Sequence, residues 1–210
     1  VGFGGGSRTW PVREIPDAIE WEEFSDVPIG IVTGTNGKTT TVRFAKHILR
    51  SAGHNVGVSS TDWIAVNERI IDRDDWSGPG GARAVLREQE VDVAILETAR
   101  GGLLRRGLGI ERADVALITN ISEDHLGDFG SRNLDELLAI KWVVSHAVRE
   151  AGHLILNAED HRLVGKSQGY DGELIWFSLD PANDTVTQHV AAGGTAFVLD
   201  GDKLSKIEDS

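Results

Sequence analysis

Cysteine and methionine are both absent from this chain of 210 residues. The first absence excludes disulfides, thiolate metal sites and cysteine nucleophiles together. The second extends to the initiator, and is read as the mark of a fragment or of modified residues left out of the sequence. Long apolar runs are missing too: no stretch approaches the ~20 residues that a membrane span requires. The start, Val1-Gly2-Phe3-Gly4-Gly5-Gly6, has neither the basic beginning nor the apolar middle of a signal peptide. Positive charge is scarce, with 21 Lys and Arg against 33 Asp and Glu and a net charge of −12. Such a surface repels phosphate backbones and anionic lipid, so neither nucleic acid nor membrane is an expected partner. A cytoplasmic enzyme is the expectation that remains.

Glycine, by contrast, is plentiful at 25 residues, above the ~7% of an average protein. One glycine run constrains function more than any other feature: Gly34-Thr35-Asn36-Gly37-Lys38-Thr39-Thr40. It follows the apolar stretch Pro28-Ile29-Gly30-Ile31-Val32 and opens a helical pattern in which Val42, Ala45, Ile48, Leu49 and Ala52 share one face, with Gly53 as its stop. A strand, a glycine loop and a helix N-terminus make an anion site, because inward-pointing N–H groups and the helix dipole favour phosphate. Lys38 is placed to reach the outer phosphates and the Thr39 hydroxyl to ligate Mg²⁺. The usual Walker pattern wants a glycine five positions before Gly37, where this chain has Val32, so the loop is a variant.

Residues 1–27 read as a polar lead-in without clear periodicity, and residues 28–210 as the domain proper. Strands are expected at 28–33, 55–59, 92–97, 114–119 and 153–157, with helices near 41–52, 80–89 and 133–150 between them. This alternation predicts an α/β fold: a P-loop-type, mostly parallel sheet with helices on both faces. Glu173–Ser178, Thr195–Leu199 and Lys203–Ile207 read as further strands, a small β-rich C-terminal extension with no helix between the last two.

Ligands of open parallel sheets bind beyond the carboxyl ends of the strands, and here those ends are polar. They read Ser59-Ser60-Thr61-Asp62, Glu97-Thr98-Ala99-Arg100, Thr119-Asn120 running into Ser122-Glu123-Asp124-His125, and Asn157-Ala158-Glu159-Asp160. Glu97 closes an apolar strand and offers a hard oxygen ligand for Mg²⁺; the alternative is a solvated strand-end glutamate. His125, beside Asp124, is a candidate second metal ligand. Lys141 falls on the apolar stripe of Leu134, Leu137, Leu138, Val144 and Val148, which marks it as paired or functional unless it snorkels to the helix end. Arg100, Arg105 and Arg106 surround a glycine turn, where they could clamp a carboxylate or phosphate or simply balance an acidic protein.

These residues resemble a family. Thr33-Gly34-Thr35-Asn36-Gly37-Lys38-Thr39 is similar to the ATP loop of the Mur ligases, the ATP-dependent amide-forming enzymes that include the folylpolyglutamate synthetases. Thr119-Asn120-Ile121 with Asp124-His125-Leu126 resembles the second signature. Leu156-Asn157-Ala158-Glu159-Asp160 resembles the nucleotide-contacting segment, with Glu159 in place of its first Asp. Leu96-Glu97-Thr98-Ala99-Arg100-Gly101-Gly102-Leu103-Leu104-Arg105 and Ser77-Gly78-Pro79 resemble the Mur-like domain of cyanophycin synthetases. The similarity runs from about Pro28 to at least Asp180.

The resemblance implies a carboxylate–amine ligase core that uses ATP and Mg²⁺ and forms an amide or isopeptide bond through an acyl-phosphate. In it Gly34, Thr35, Asn36, Gly37, Lys38, Thr39, Thr40, Asn157 and Asp160 bind nucleotide. Thr39, Glu97 and His125 hold metal, while Lys38, His125 and Lys141 are the catalytic set. Lys141 sits where several members carry a carbamoylated lysine. Partners would be a small-molecule or peptide carboxylate and an amino-acid amine, with a homo-oligomer or a partner domain left open. The family continues beyond the point matching Ser210 into a His/Asn-bearing helix and a separate C-terminal domain. Where cyanophycin-type relatives continue Thr-Asp-Gly, this chain has Thr61-Asp62-Trp63, so an altered acceptor pocket is expected. Two other readings stand beside this one: a nucleotide-binding module without ligase activity, and a P-loop kinase or GTPase. The second has against it Val32 and the lack of an Asn-Lys-x-Asp motif.

Overall fold

The computed structural model describes residues 27–123 and 133–208. Of the lead-in expected over residues 1–27, residues 1–26 lie outside the described residues. Strand β1 (Ile29–Thr33) feeds helix α1 (Lys38–Ser51) through the glycine loop. After it come β2 (Val56–Ser59), β3 (Ile64–Val66), β4 (Arg69–Asp72), α2 (Pro79–Val85), β5 (Val93–Glu97), α3 (Arg100–Arg106) and β6 (Ala113–Ile118). The second half runs α4 (Leu134–Trp142), a 3₁₀ turn (Val143–Ala147), β7 (Val148–Asn157), α5 (His161–Ser167), β8 (Glu173–Ser178), α6 (Asp184–Ala191), β9 (Thr195–Asp200) and β10 (Lys203–Ile207).

All ten strands join one sheet in the order β10-β9-β8-β7-β6-β1-β5-β2-β3-β4. From β9 to β2 every neighbour is parallel, while β10 and the β3–β4 hairpin are antiparallel additions at the two ends. The chain moves from β1 outward to β2, returns to β5, and only then crosses to β6 on the other side. The glycine loop therefore leaves β1 at the point where the strand order reverses, where open α/β sheets form their ligand crevice.

Alternation along the strands sets the two faces. On β5, Val93 and Ile95 pack with Val42, Ala45 and Leu49 of α1, while Ala94 and Leu96 pack with Ala82 and Val85 of α2. Helices thus cover both faces of this half. Farther along, Leu137 of α4, Leu163 of α5 and Val186 of α6 join Ile118, Leu154, Leu156, Trp176 and Val198 in one cluster. Leu154 and Leu156 are fully buried, and truncating either to Ala should cost about 2–5 kcal/mol.

Several expected boundaries shift. Helix α1 begins at Lys38, directly on the loop, and its Ile48 is 64% exposed rather than buried. The helix expected over 133–150 ends at Trp142. Ser145 Oγ donates to the Trp142 carbonyl at 2.7 Å, which tightens the chain into a 3₁₀ turn before β7 starts at Val148. The residues between Val148 and His153 form an irregularity in the β6–β7 pairing, so the expected strand 153–157 is the regularly paired part of β7. The C-terminal strands do not stand apart: β8 and β9 extend the parallel sheet, with α5 and α6 as crossovers, and β9–β10 is the helix-free hairpin expected.

Candidate active site

Two glycines shape the loop. Gly34 has φ 143°, and a Cβ there would lie 1.8 Å from Thr119 Oγ1; Gly37, with φ 86°, caps α1. Both positions demand glycine. Lys38 Nζ reaches back across the loop to the Thr35 carbonyl at 2.9 Å. A second wall, the segment after β6, holds the loop from the side. Thr35 N donates to Asn120 O at 2.9 Å, Asn36 N to Asn120 Oδ1 at 3.0 Å and Asn120 Nδ2 to Asn36 O at 3.1 Å. Thr119 Oγ1 donates to Asn36 O at 2.6 Å, and Ser122 N to Thr35 Oγ1 at 3.1 Å. From within the protein, Lys141 on α4, 4% exposed, donates from Nζ to Gly34 O at 2.6 Å. The loop is therefore preformed, its backbone gripped by Thr119, Asn120 and Lys141 and its Thr35 and Asn36 side chains by Ser122.

At the end of β5, Glu97 is 1% exposed. Its Oε2 accepts from Thr39 Oγ1 at 2.9 Å and from Thr61 N at 3.3 Å, and Thr61 Oγ1 lies 3.0 Å from Thr39 Oγ1. Its Oε1 is buried with no hydrogen-bond partner among the described residues. Burial pushes the Glu97 carboxyl above the usual carboxylate range, helped by the charge of Asp75 and opposed by the Thr39 hydrogen bond, the Lys38 ammonium and Thr61 N–H. A buried carboxylate oxygen without a donor, next to a threonine hydroxyl in the first turn of α1, fits a hard divalent cation. Among the described residues no three His, Cys, Asp or Glu side chains cluster into a metal site. His125 and Asp124 lie outside the described residues.

Asn157 and Asp160, expected to face nucleotide, sit at the end of β7 and organise the second wall. Asn157 Nδ2 donates to Thr119 O at 3.2 Å. Asp160 Oδ2 accepts from Ile121 N at 2.6 Å, while Oδ1 caps α5 through Arg162 N at 3.0 Å and Leu163 N at 3.3 Å. Glu159 Oε1 ties the same turn to the end of β8 by accepting from Leu179 N at 2.6 Å.

Sequence reasoning assigned no role to Thr61, which bridges Thr39 and Glu97, or to Ser122. Their signal was the run of polar residues that follows each apolar strand. Trp63 needs no left-handed backbone, since Asn67 is the one non-glycine with positive φ among the described residues. Its ring instead lies under Arg43, 4.8 Å from the centroid, and Arg43 also pairs with Asp62. Arg100 is buried at the start of α3, whereas Arg105 and Arg106 are exposed at its end.

No helix among the described residues is long and apolar enough to cross a membrane. The cyanophycin synthetase of Synechocystis sp. is 39% identical over 186 residues, which is 89% of this chain and 21% of the relative. The chain thus spans about a fifth of the length of the cyanophycin synthetases it matches. The structure of a UDP-N-acetylmuramoyl-L-alanyl-D-glutamate–2,6-diaminopimelate ligase shares the fold with a TM-score of 0.62 at 19% identity, over 88% of this chain and 36% of that one. A bifunctional folylpolyglutamate synthase/dihydrofolate synthase, solved with Mn, AMPPNP and L-glutamate bound, does so with a TM-score of 0.60 at 18% identity, over 96% and 54%. Residues 32–207 match the model of the Mur ligase middle domain, which takes in the glycine loop, Glu97, the second wall and Lys141, and by that match the chain belongs to the Mur ligase family.

Proposed function

We propose that this chain is the ATP-binding core of a ligase that joins a carboxylate to an amino-acid amine. The observation that carries the reading is the unpartnered Glu97 Oε1 beside Thr39, at the mouth of a preformed phosphate loop. The backbone of Gly34–Thr40 would cradle the phosphates, and Lys38 would exchange the Thr35 carbonyl for the outermost phosphate oxygens. Thr39 and Glu97 would hold Mg²⁺, with His125 serving a second ion. When bound, the cation neutralises phosphate charge. Lys141 would act behind the loop, fixing the Gly34 carbonyl so that the neighbouring N–H groups stay aimed at the ligand.

In this reaction the substrate carboxylate attacks the γ-phosphorus and ADP leaves. The amine then attacks the acyl carbon, phosphate leaves, and the amine loses a proton. The protein contributes mainly position and electrostatics. The substrates are a small-molecule or peptide carboxylate and an amino-acid amine, and the setting is the cytoplasm, where ATP is at hand. Since the chain spans 21% of the relative's length, a nucleotide-binding module without turnover of its own is the second reading.

Calorimetry with Mg²⁺ and AMPPNP tests the reading. The chain should bind, Lys38→Ala should weaken binding by about tenfold or more, and Glu97→Gln should remove its Mg²⁺ dependence. Binding that ignores both substitutions would sink it. With ATP in place of AMPPNP, binding without ADP release in the presence of any carboxylate–amine pair would favour the module.

A further inference from the structure

Next to Glu97 two loops close on each other and leave a cleft of about 320 Å³. One loop, residues 75–78, leads into α2; the other starts at Ala99, two residues beyond Glu97, and becomes α3. They touch backbone to backbone. Ala99 N donates to Ser77 O at 3.0 Å, and a Cβ on Gly102 would lie 2.9 Å from Ser77 O and 3.0 Å from Gly78 Cα. Within the first segment itself, a Cβ on Gly81 would lie 2.1 Å from the Trp76 carbonyl. Glycine is what lets these loops meet, and it leaves a wall of bare main chain.

Trp76, which lines the cleft, donates from its backbone N to Ser60 O at 2.9 Å, which ties the first loop to the turn whose Thr61 N–H binds Glu97. The Trp76 indole N–H is buried without a partner among the described residues. Arg105, steadied by Nε donation to Gly101 O at 2.9 Å, and Arg106 line it as well. Six to seven residues of helix separate them from Ala99, about 9–10 Å at 1.5 Å per residue. That span suits one or two amino-acid units, and the glycine wall suits unbranched main chain.

We propose that the cleft seats a carboxylate-bearing amino-acid unit of the substrate, its carboxylate at Arg105 and Arg106 and its reacting end towards Glu97. Which end reacts rests on the ligase reading; the seat itself does not. The carboxylate belongs either to the amine substrate or to a peptide acceptor, and the two sources share this chemistry.

The test is an amide-shift titration of the full chain with glycylglycine, amine-blocked N-acetylglycylglycine, and N-acetylglycylglycinamide, which has no carboxylate. Carboxylate-bearing probes should move the amides of residues 77, 78, 80 and 81 and of 99–102, and the carboxamide should not. A response to the free amine alone assigns the amine substrate, and a response to the blocked peptide alone assigns the acceptor. Arg106→Ala should weaken binding about tenfold, with Arg106→Lys in between. Absence of binding, equal response to all three probes, or indifference to both Arg105→Ala and Arg106→Ala would overturn the seat. Mg²⁺·AMPPNP affinity, measured on Arg106→Ala, should be unchanged. A failure to bind nucleotide would strike the ligase reading and leave arginine-dependent peptide binding standing.

Discussion

A carboxylate with 1% of its surface exposed and one oxygen unpartnered is costly to ionise, and Glu97 shows it in a pKa raised chiefly by burial. Because the folded value lies above the unfolded one, the folded chain holds this proton more tightly than the unfolded chain does. Stability then falls as pH rises from the ordinary glutamate range through the raised value, and the loss persists above it. Glu97→Gln should therefore melt higher than the parent near neutral pH and lose this pH dependence, while Mg²⁺-dependent nucleotide binding disappears. Thermal melts of both proteins from acid to neutral pH check it; an equal or lower melting temperature for the variant refutes it. Lys141 gives the opposite case. Its ammonium is buried and bonded to Gly34 O, and Lys141→Met would keep the volume but leave that carbonyl unpaired. The expected loss is about 1–3 kcal/mol in urea unfolding, together with weaker nucleotide binding.

Short elements here rest on their caps more than on their faces. Helix α5 has seven residues, too few to persist on propensity, and Asp160 both caps it and holds Ile121 N. Asp160→Ala should cost about 1–2 kcal/mol from the cap and shift the amide resonances of Ile121 and Ser122; an unchanged urea midpoint would argue against it. The same feature explains what the sequence made legible. The β1–loop–α1 unit, β2, β5 and β6 announce themselves as apolar runs closed by glycine or polar residues. The crossovers α5 and α6 went unseen because each is short and interrupted or polar, although Asp160 and Asn183 were available as cap signals. The hairpin β3–β4 was hidden because β4 is wholly exposed and so lacks an apolar pattern. The end of α4 was misplaced because Val144 and Val148 prolong the helical stripe past the 3₁₀ turn. At the site, Lys38 and Thr39 could be named from the glycine loop, Glu97 from its strand end and Lys141 from the apolar stripe of its helix. The grip of Asn120 and Ser122 on the loop could not, since those bonds join residues 84–87 positions apart.

Seen as one molecule, the sheet is graded from centre to rim. Strand β1 lies between β5 and β6 with Ile31, Val32 and Thr33 buried. At the two ends β4 is exposed along its length, and β10 carries Lys203, Lys206 and an exposed Leu204. Charged, short edge strands resist pairing with other chains but open easily. Amide exchange should therefore be slowest in β1, β5 and β6, approaching the global unfolding limit, and fastest in β4 and β10. Ligand should change this gradient in one place. Because residues 119–122 are bonded to the glycine loop and Asp160 anchors them to α5, Mg²⁺·AMPPNP should slow exchange in residues 34–38 and 119–122 together. At a ligand concentration of 100 times Kd the whole fold gains about 2.7 kcal/mol, so the central strands should slow as well, while β4 and β10, which open locally without releasing the loop, keep their rates. Exchange that slows in the glycine loop but not in residues 119–122 would show that the two walls move independently, and that the hydrogen bonds between them do not organise the site.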